Sequence, residues 1–470
     1  MQNLTALQLA QEIKKGNFTC KQAAEFSLLK AKQNKYNAFI NVNDNALKDA
    51  ENFDKNKGYN SLLAGVPISI KDNICTKGIT TTAASDIIKD FMPTYNATVI
   101  DKLISAGMII SAKTNLDEFA IGSTGENSAF GAAVNPHNIN CVAGGSSSGS
   151  AAAVSGLDSF CSLASDTGGS VRIPASYCGV VGFKPSYGRV SRWGLIAYAS
   201  SLDQIGTITK TVTDAAALFD IIKGKDAKDS TSIDYKDNAY DNLDNSIKGR
   251  KIGVIKEFLD EKIASKDVIL SVKKAVKLLK QQGAEVEYVS LDYTHLTLST
   301  YYIISSAQVS SNLSRFDGIG YGVRAQGEDT GAIYYNTRTN GFGDEVKKRI
   351  LLGNFILSSN NYEKYYLKAL KISRLIKESY LNLFKSCDAL ICPTTPTTAP
   401  ELNDTKIIDN TDVFTAGVNL AGLSAISIPC AKDKSDMPIG VQIITNSNCD
   451  CLCLNIANVL QRQIGGNYEL

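Results

Sequence analysis

Between Lys251 and Val289 the hydrophobic period of the chain switches twice, and this constrains the fold more than any other stretch. Lys251–Ile255 is a short apolar run of the kind that forms a buried strand. Val268, Val272, Ala275, Val276 and Leu279 then fall on one face of a helix, Gly283 ends it, and Glu285–Val289 reads as a second strand. The alternation recurs along the chain. Residues 64–71 (Ala-Gly-Val-Pro-Ile-Ser-Ile-Lys) predict a buried strand ending at Lys71, 96–106 a helix, and 107–113 a strand after Gly107. Residues 388–392 and 425–429 predict buried strands, each ending at a Cys-Pro or Pro-Cys pair. Helical spacing covers 4–14 and 19–33, with Thr19 as the N-cap of the second, and most of 300–316 and 344–385. Strands and helices that alternate in this way pack as α/β layers. The polar stretch 223–250, full of Lys, Asp, Asn and Ser, reads as a surface loop or short linker rather than a boundary, so residues 1–470 are expected to form a single domain. No internal repeat is apparent.

Composition narrows the function. Apolar residues make up 44% and charged residues 20% of 470, a balance that suits a soluble globular protein with a large core. Lys and Arg number 49 against 47 Asp and Glu, which argues against a chain that grips nucleic acid by itself. No apolar run approaches the length of a membrane span, and Met1–Gly16 lacks the basic-then-apolar order of a signal peptide. The eleven scattered cysteines then read as reduced thiols of a cytoplasmic protein. Cys449, Cys451 and Cys453 alternate, so on a strand they would share a face and a metal site is conceivable. The spacing is not that of a usual zinc site and no His lies near, so no metal is expected.

The chain has only two histidines, His137 in a turn-like Asn-Pro-His-Asn and His295 in Tyr-Thr-His-Leu. A Ser-His-Asp hydrolase needs an imidazole base. Neither His has a nucleophile elbow to serve, because no Gly-x-Ser-x-Gly follows a strand and opens a helix. A phosphate-binding Gly-x-x-x-x-Gly-Lys-Ser/Thr loop is also missing.

What the chain does carry is Gly and Ser. Residues 144–150 read Gly-Gly-Ser-Ser-Ser-Gly-Ser, and 166–172 read Asp-Thr-Gly-Gly-Ser-Val-Arg. Glycines beside serines permit backbone shapes that aim successive N–H groups at one point, a pocket for a phosphate or for the oxyanion of an acyl-transfer intermediate. The plain alternative is a flexible linker. Two such loops flanking the small-residue helix Ala151–Gly156 fit that alternative less well. A serine nucleophile needs a base, and a lysine serves once burial takes its pKa from about 10.4 toward about 7. Lys71 ends an apolar strand, which allows that role. Taken alone, the segment favours the plainer reading of a strand-end lysine reaching solvent.

Taken together, Gly65-Val66-Pro67-Ile68-Ser69-Ile70-Lys71-Asp72 and the two Gly/Ser loops, at their spacing, resemble the amidase signature family across nearly the whole chain. The resemblance implies an α/β/α layered fold with a large mixed central sheet covered by helices, and a catalytic core at about 60–210. It implies Ser170 as nucleophile, Ser146 as a bridging serine on a cis peptide, and Lys71 as neutral base. The N–H groups of Thr167, Gly168, Gly169 and Ser170 would form the oxyanion hole, and Asp166 with Arg172 a structural pair. Two departures stand out. Ser148 occupies a position where glycine is common and would strain the loop if positive φ were required, and Ile173 replaces a usual Gln.

Residues 184–206, Ser310–Gly318, Glu345–Gly353 and 419–430 further resemble the glutaminase subunits of tRNA-dependent amidotransferases. That implies glutamine as substrate, with Arg349 on its α-carboxylate, Asp412 on its α-ammonium and Tyr301 lining the pocket. Arg349 and Asp412 also suit those charges physically, since a guanidinium fork matches a carboxylate. It implies B and C partner subunits in a hetero-oligomer that receives the ammonia. ATP and Mg would be held by the partner rather than by this chain, and Glu-tRNA(Gln) would be reached through the complex. A stand-alone amidase for another carboxamide is the competing expectation.

Overall fold

The computed structural model describes residues 1–243, 246–320, 322–404 and 410–465. Its strands, in chain order, are β1 (Phe39–Val42), β2 (Pro67–Lys71), β3 (Ile109–Thr114), β4 (Cys161–Asp166), β5 (Val181–Lys184), β6 (Gln204–Thr209), β7 (Lys251–Ile255), β8 (Glu285–Val289), β9 (Ala389–Pro393), β10 (Ser424–Lys432) and β11 (Pro438–Thr445). They form one 11-stranded sheet in the order β1-β3-β2-β4-β6-β5-β10-β11-β9-β7-β8. The sheet is mixed. β3, β2 and β4 run parallel at one end, and β9, β7 and β8 at the other. Antiparallel pairs fill the middle, among them the hairpin of β10 and β11.

Helices cover both faces, because the strands are apolar on both sides. Ile68 and Ile70, Ile426 and Ile428, and Val441 and Ile443 point to one core, packed under helices that include Ala6–Lys15, Val212–Ile222 and Asp450–Ile464. The alternate positions Leu390, Cys392, Ala425 and Ile444 point to the second core, under Thr297–Asn312, Asp344–Leu357 and Lys368–Leu383. Lys71 follows Ile70 on β2, so strand alternation turns it away from the first core and toward the Gly/Ser loops.

The predicted elements appear with shifted ends. The helix at 19–33 spans Cys20–Gln33 with Thr19 as N-cap in a capping box. The helix expected at 300–316 is Thr297–Asn312, and 344–385 divides into Asp344–Leu357, a π-helical turn at Tyr362–Leu367 and Lys368–Leu383. In the described part of 223–250 the chain forms turns, but it is not loose: Asp220 accepts hydrogen bonds from the N–H groups of Ala239 and Tyr240, and Ala239 and Ile247 are buried.

Cys451 and Cys453 lie on the helix Asp450–Ile464, with Cys449 at its N-cap, not on a strand. Alternate residues of a helix point about 200° apart, so Cys451 is turned away from Cys449 and Cys453 and the three thiols do not converge. No group of three or more metal-ligating side chains occurs among the described residues. Ile443, Cys453 and Leu454 pack in the same core, so this segment's apolar period belongs to a covering helix.

Candidate active site

Lys71 is fully buried at the end of β2. Its Nζ lies 2.8 Å from Ser146 Oγ, 2.9 Å from Ser165 Oγ and 3.3 Å from the Ser165 carbonyl. Those partners are hydroxyls and a carbonyl. Burial therefore takes the Lys71 ammonium from its ordinary 10.5 down to about 7, against the weaker pull of Asp117, Asp166 and Asp203. Asn73 donates to Ser165 Oγ at 2.9 Å and fixes that hydroxyl.

Ser146 sits in the first Gly/Ser loop, where the Gly145–Ser146 peptide is cis and Gly144 has φ +82. Asp117 N–H donates to the Ser146 carbonyl at 3.1 Å, and Gly145 N–H to the Ser123 carbonyl at 2.7 Å. The Asp117 carboxylate closes the back of the loop. A Cβ on Gly145 would stand 2.0 Å from Asp117 Oδ2, so only glycine fits there. Ser148 opens the helix Ser148–Ser155 without positive φ, and the strain its presence suggested does not arise. Ile173 is buried with Tyr177 and Cys141.

Ser170 lies in the second loop, between β4 and the helix Arg172–Tyr177. Ser147 N–H donates to the Ser170 carbonyl at 3.2 Å, which brings the two loops together. Asp166 and Arg172 anchor the loop as expected. The guanidinium donates from Nε and Nη2 to both carboxylate oxygens, at 3.0 and 2.9 Å, and from Nη1 to Gln442 Oε1 at 2.6 Å. Burial works to raise the Asp166 carboxyl, but Arg172 overrides it and holds it at about 2. Thr167 Oγ1 donates to Asp203 at 2.7 Å, and Thr415 Oγ1 donates to the Gly168 carbonyl at 2.6 Å. These contacts use side chains and carbonyls of the loop; none uses the N–H of Gly168, Gly169 or Ser170.

Tyr301, Arg349 and Asp412 come together in the wall of a cavity of about 530 Å³, with Tyr198, Tyr302, Glu345 and Lys348. Cavities of similar or greater size lie elsewhere, around Trp193 and around Asn52. In the first of the three, Tyr301 lies against the second loop: a Cβ on Gly168 would stand 2.5 Å from Tyr301 Cζ, so the ring lies flush on the loop backbone. The cavity around Trp193 also reaches that loop, through Asp203, which accepts from Thr167 Oγ1. Arg349 is held by Glu345, whose Oε1 accepts from Nε at 2.7 Å, and its guanidinium lies 4.4 Å from the centre of the Tyr302 ring. Burial lifts the Asp412 carboxyl to about 7, with Arg349 pulling it back.

A sequence profile of the family described as Amidase matches residues 24–454. The chain belongs to the amidase family. It is 48% identical over 452 residues to the A subunit of the glutamyl-tRNA(Gln) amidotransferase of Lachnospira eligens, covering 94% of each chain. It is 47% identical over 465 residues to the protein of the same name from Prochlorococcus marinus, covering 96% of each. The crystal structure of the Thermotoga maritima protein of that name matches with a TM-score of 0.80 at 38% identity, over 98% of this chain and 95% of the other.

Several residues of the amidase site escaped sequence reasoning. Ser165, Asn73, Asp117 and Asp203 are single polar residues in or beside apolar strands and Gly/Ser loops, and nothing local separates them from ordinary turn residues. Glu345 and Tyr302 carry a faint signal. Glu345 precedes Arg349 by one helical turn, the spacing of an ion pair, and Tyr302 adjoins Tyr301. The histidines are elsewhere: His137 Nε2 lies 3.2 Å from the Cys178 carbonyl, and His295 sits in the turn Thr294–Leu296.

Proposed function

We propose that this chain is the glutaminase subunit of a tRNA-dependent amidotransferase, working as a single amidase domain. One juxtaposition carries the reading. Lys71, with its pKa near 7, touches Ser146 at one end of the site. Across Gly168 and Tyr301, a cavity presents a guanidinium and a carboxylate at the other.

Ser170 Oγ attacks the side-chain carbonyl of glutamine. Its proton passes through the Ser146 hydroxyl to the neutral Nζ of Lys71. The oxyanion is received by N–H groups among those of Thr167, Gly168, Gly169 and Ser170, and loss of one such donor typically costs about 3–4 kcal/mol in the transition state. The C–N bond breaks as the nitrogen takes the proton back along the same relay, and ammonia leaves. Water then attacks the Ser170 ester, its proton passing through Ser146 to Lys71; as the ester C–O bond breaks that proton returns to Ser170 Oγ, and glutamate departs. Arg349 holds the α-carboxylate and Asp412 the α-ammonium, so the γ-amide is the group that reaches Ser170. Asp412 near pH 7 gains this partner only with substrate bound, because the ammonium favours its ionised form.

The names of the relatives support a subunit of a multi-subunit amidotransferase for glutamyl-tRNA(Gln); the proposal adds B and C subunits that take the ammonia, ATP and Mg at the partner, and a cytoplasmic setting. No described helix is long and apolar enough to cross a membrane.

The test is covalent labelling read by peptide mass spectrometry. A glutamine-mimicking electrophile and a fluorophosphonate are applied to wild type and Lys71→Ala. Both reagents label Ser170 in wild type and neither does so in the variant. Labelling by the fluorophosphonate alone, with partners present, would point instead to an amidase for another carboxamide. A folded protein in which neither reagent marks Ser170 overturns the reading.

A further inference from the structure

Asp117 and Glu118 are neighbours in sequence, yet they serve opposite ends of the site. Asp117 closes the loop of Ser146. Its N–H donates to the Ser146 carbonyl, and its carboxylate accepts from Gly125 N–H at 3.1 Å and Asn127 N–H at 3.0 Å. Glu118 turns the other way. Its Oε2 accepts from Gly343 N–H at 2.8 Å, across 225 residues of sequence, and its Oε1 accepts from Ser85 Oγ. Gly343 is the N-cap of the helix Asp344–Leu357, and this helix has no side-chain cap of its own.

Glu118 therefore takes the part that the third residue of a capping box usually plays, that of a carboxylate on the N-cap N–H. Burial pushes the Glu118 carboxyl up to about 7, with the Ser85 and Gly343 hydrogen bonds pulling it back, so the tie rests on its oxygens as acceptors. The contact is close by construction: a Cβ on Gly343 would stand 2.5 Å from Glu118 Oε2. Ser85 completes the tie, because its hydroxyl also lies 3.3 Å from the Gly341 carbonyl. The helix so anchored carries Glu345 in its first turn and Arg349 one turn later, joined at 2.7 Å. Asp117 is extended (φ −62, ψ 141), which points the two neighbouring carboxylates apart, and Phe119 and Ala120 follow at φ +51 and +61 in a left-handed kink. Glu118 is almost fully buried.

We propose that Glu118 is a positioning residue. It fixes the start of the helix that carries Arg349, and so sets the distance between the carboxylate clamp and the Ser146 loop, which Asp117 fixes from the same dipeptide. This rests on the glutaminase reading for its substrate but not for its geometry, and the test separates the two.

Glu118→Gln, Glu118→Ala and Ser85→Ala are made in the full chain with its partner subunits. Hydrogen exchange over 343–349 is measured alongside steady-state glutamine hydrolysis. Glu118→Ala is expected to speed exchange at the helix start by about tenfold, the scale of a lost cap. It is expected to raise the KM for glutamine by about tenfold while kcat falls less than about threefold, because a displaced clamp weakens binding more than chemistry. Glu118→Gln keeps one acceptor and is expected to lie between Ala and wild type. Ser85→Ala is expected to shift KM by about threefold in the same direction. Fluorophosphonate labelling of Ser170 stays at the wild-type rate in all three. Unchanged exchange at 343–349 overturns the proposal, as does a loss of labelling equal to the loss of turnover, which would mean a general structural role. If wild type fails to hydrolyse glutamine while exchange still rises in Glu118→Ala, the glutaminase reading falls and the anchor stands.

Discussion

Lys71 and Arg349 are basic side chains at the two ends of the site, and their surroundings differ in kind. Lys71 is sealed between a strand and two loops, with hydroxyls and a carbonyl as its hydrogen-bond partners, and nothing there neutralises a charge by direct contact. Arg349 stands in a cavity wall with the Glu345 carboxylate on one side and the Tyr302 ring on the other, and its charge is reinforced. A lysine gives up its proton when water is removed and no anion replaces it. A guanidinium paired with an anion remains a permanent cation. The same sign of charge thus yields a base at one end and a clamp at the other, and the local dielectric and partner decide which.

Removing Lys71 breaks the comparison most completely. Lys71→Ala is expected to lower kcat by about 10³-fold or more, at the upper range for loss of a general base, with KM for glutamine little changed. In wild type, kcat/KM is expected to rise with pH through about 7 as Lys71 loses its proton. Stability carries the same signature. Below about 7 both folded and unfolded chains hold the proton, and the burial penalty is full. Between about 7 and the unfolded value of 10.5 only the unfolded chain binds it, so this group makes stability rise with pH across that window. Denaturant unfolding at both ends of the window, in wild type and Lys71→Met, should show a smaller rise in the variant.

Gly168→Ala strikes the seam between the ends. The added Cβ would meet the Tyr301 ring at 2.5 Å, so either the loop or the ring must move. A fall of about 10²-fold in kcat/KM is expected, the scale of a misplaced reacting group, together with slower labelling of Ser170. Were labelling unaffected, the cavity and the loop would be less tightly joined than their packing shows.

Arg349→Lys keeps the charge but loses the fork. KM for glutamine is expected to rise about tenfold, with kcat within about threefold of wild type and fluorophosphonate labelling unchanged. The smallest effect belongs to Tyr302→Leu, which removes a cation–π contact worth about 0.5–1 kcal/mol and so about two- to fivefold in KM. A larger loss in kcat than in KM from either change would move Arg349 from the clamp into the chemistry.

The chemistry-bearing loops were legible because their residue types are unusual. Few folded segments need Gly-Gly-Ser-Ser-Ser-Gly-Ser, and the small residues report that backbone, not side chains, fills the space. The helices that frame the cavity were legible as helices, but not as walls, since helical period shows which face is apolar and not what stands opposite. The alternation of Cys449, Cys451 and Cys453 left strand or helix open for a related reason. Alternating cysteines satisfy a period of two, yet Leu454 and the residues after it belong to a helix that covers the sheet, and tertiary packing selected the longer period.

By itself, the sequence determined the α/β layering, the buried strand that delivers Lys71 and the Gly/Ser loops around Ser146 and Ser170, because these follow from local period and from residue size. Only the tertiary structure decided that Lys71 meets hydroxyls rather than a carboxylate. It alone seated Tyr301 on Gly168, paired Glu345 with Arg349, and let Asp117 and Glu118 tie distant segments together. Those facts depend on strand order and on contacts between residues far apart in the chain, and it is that local environment, not residue type, which sets whether a buried group is charged, neutral or held in place.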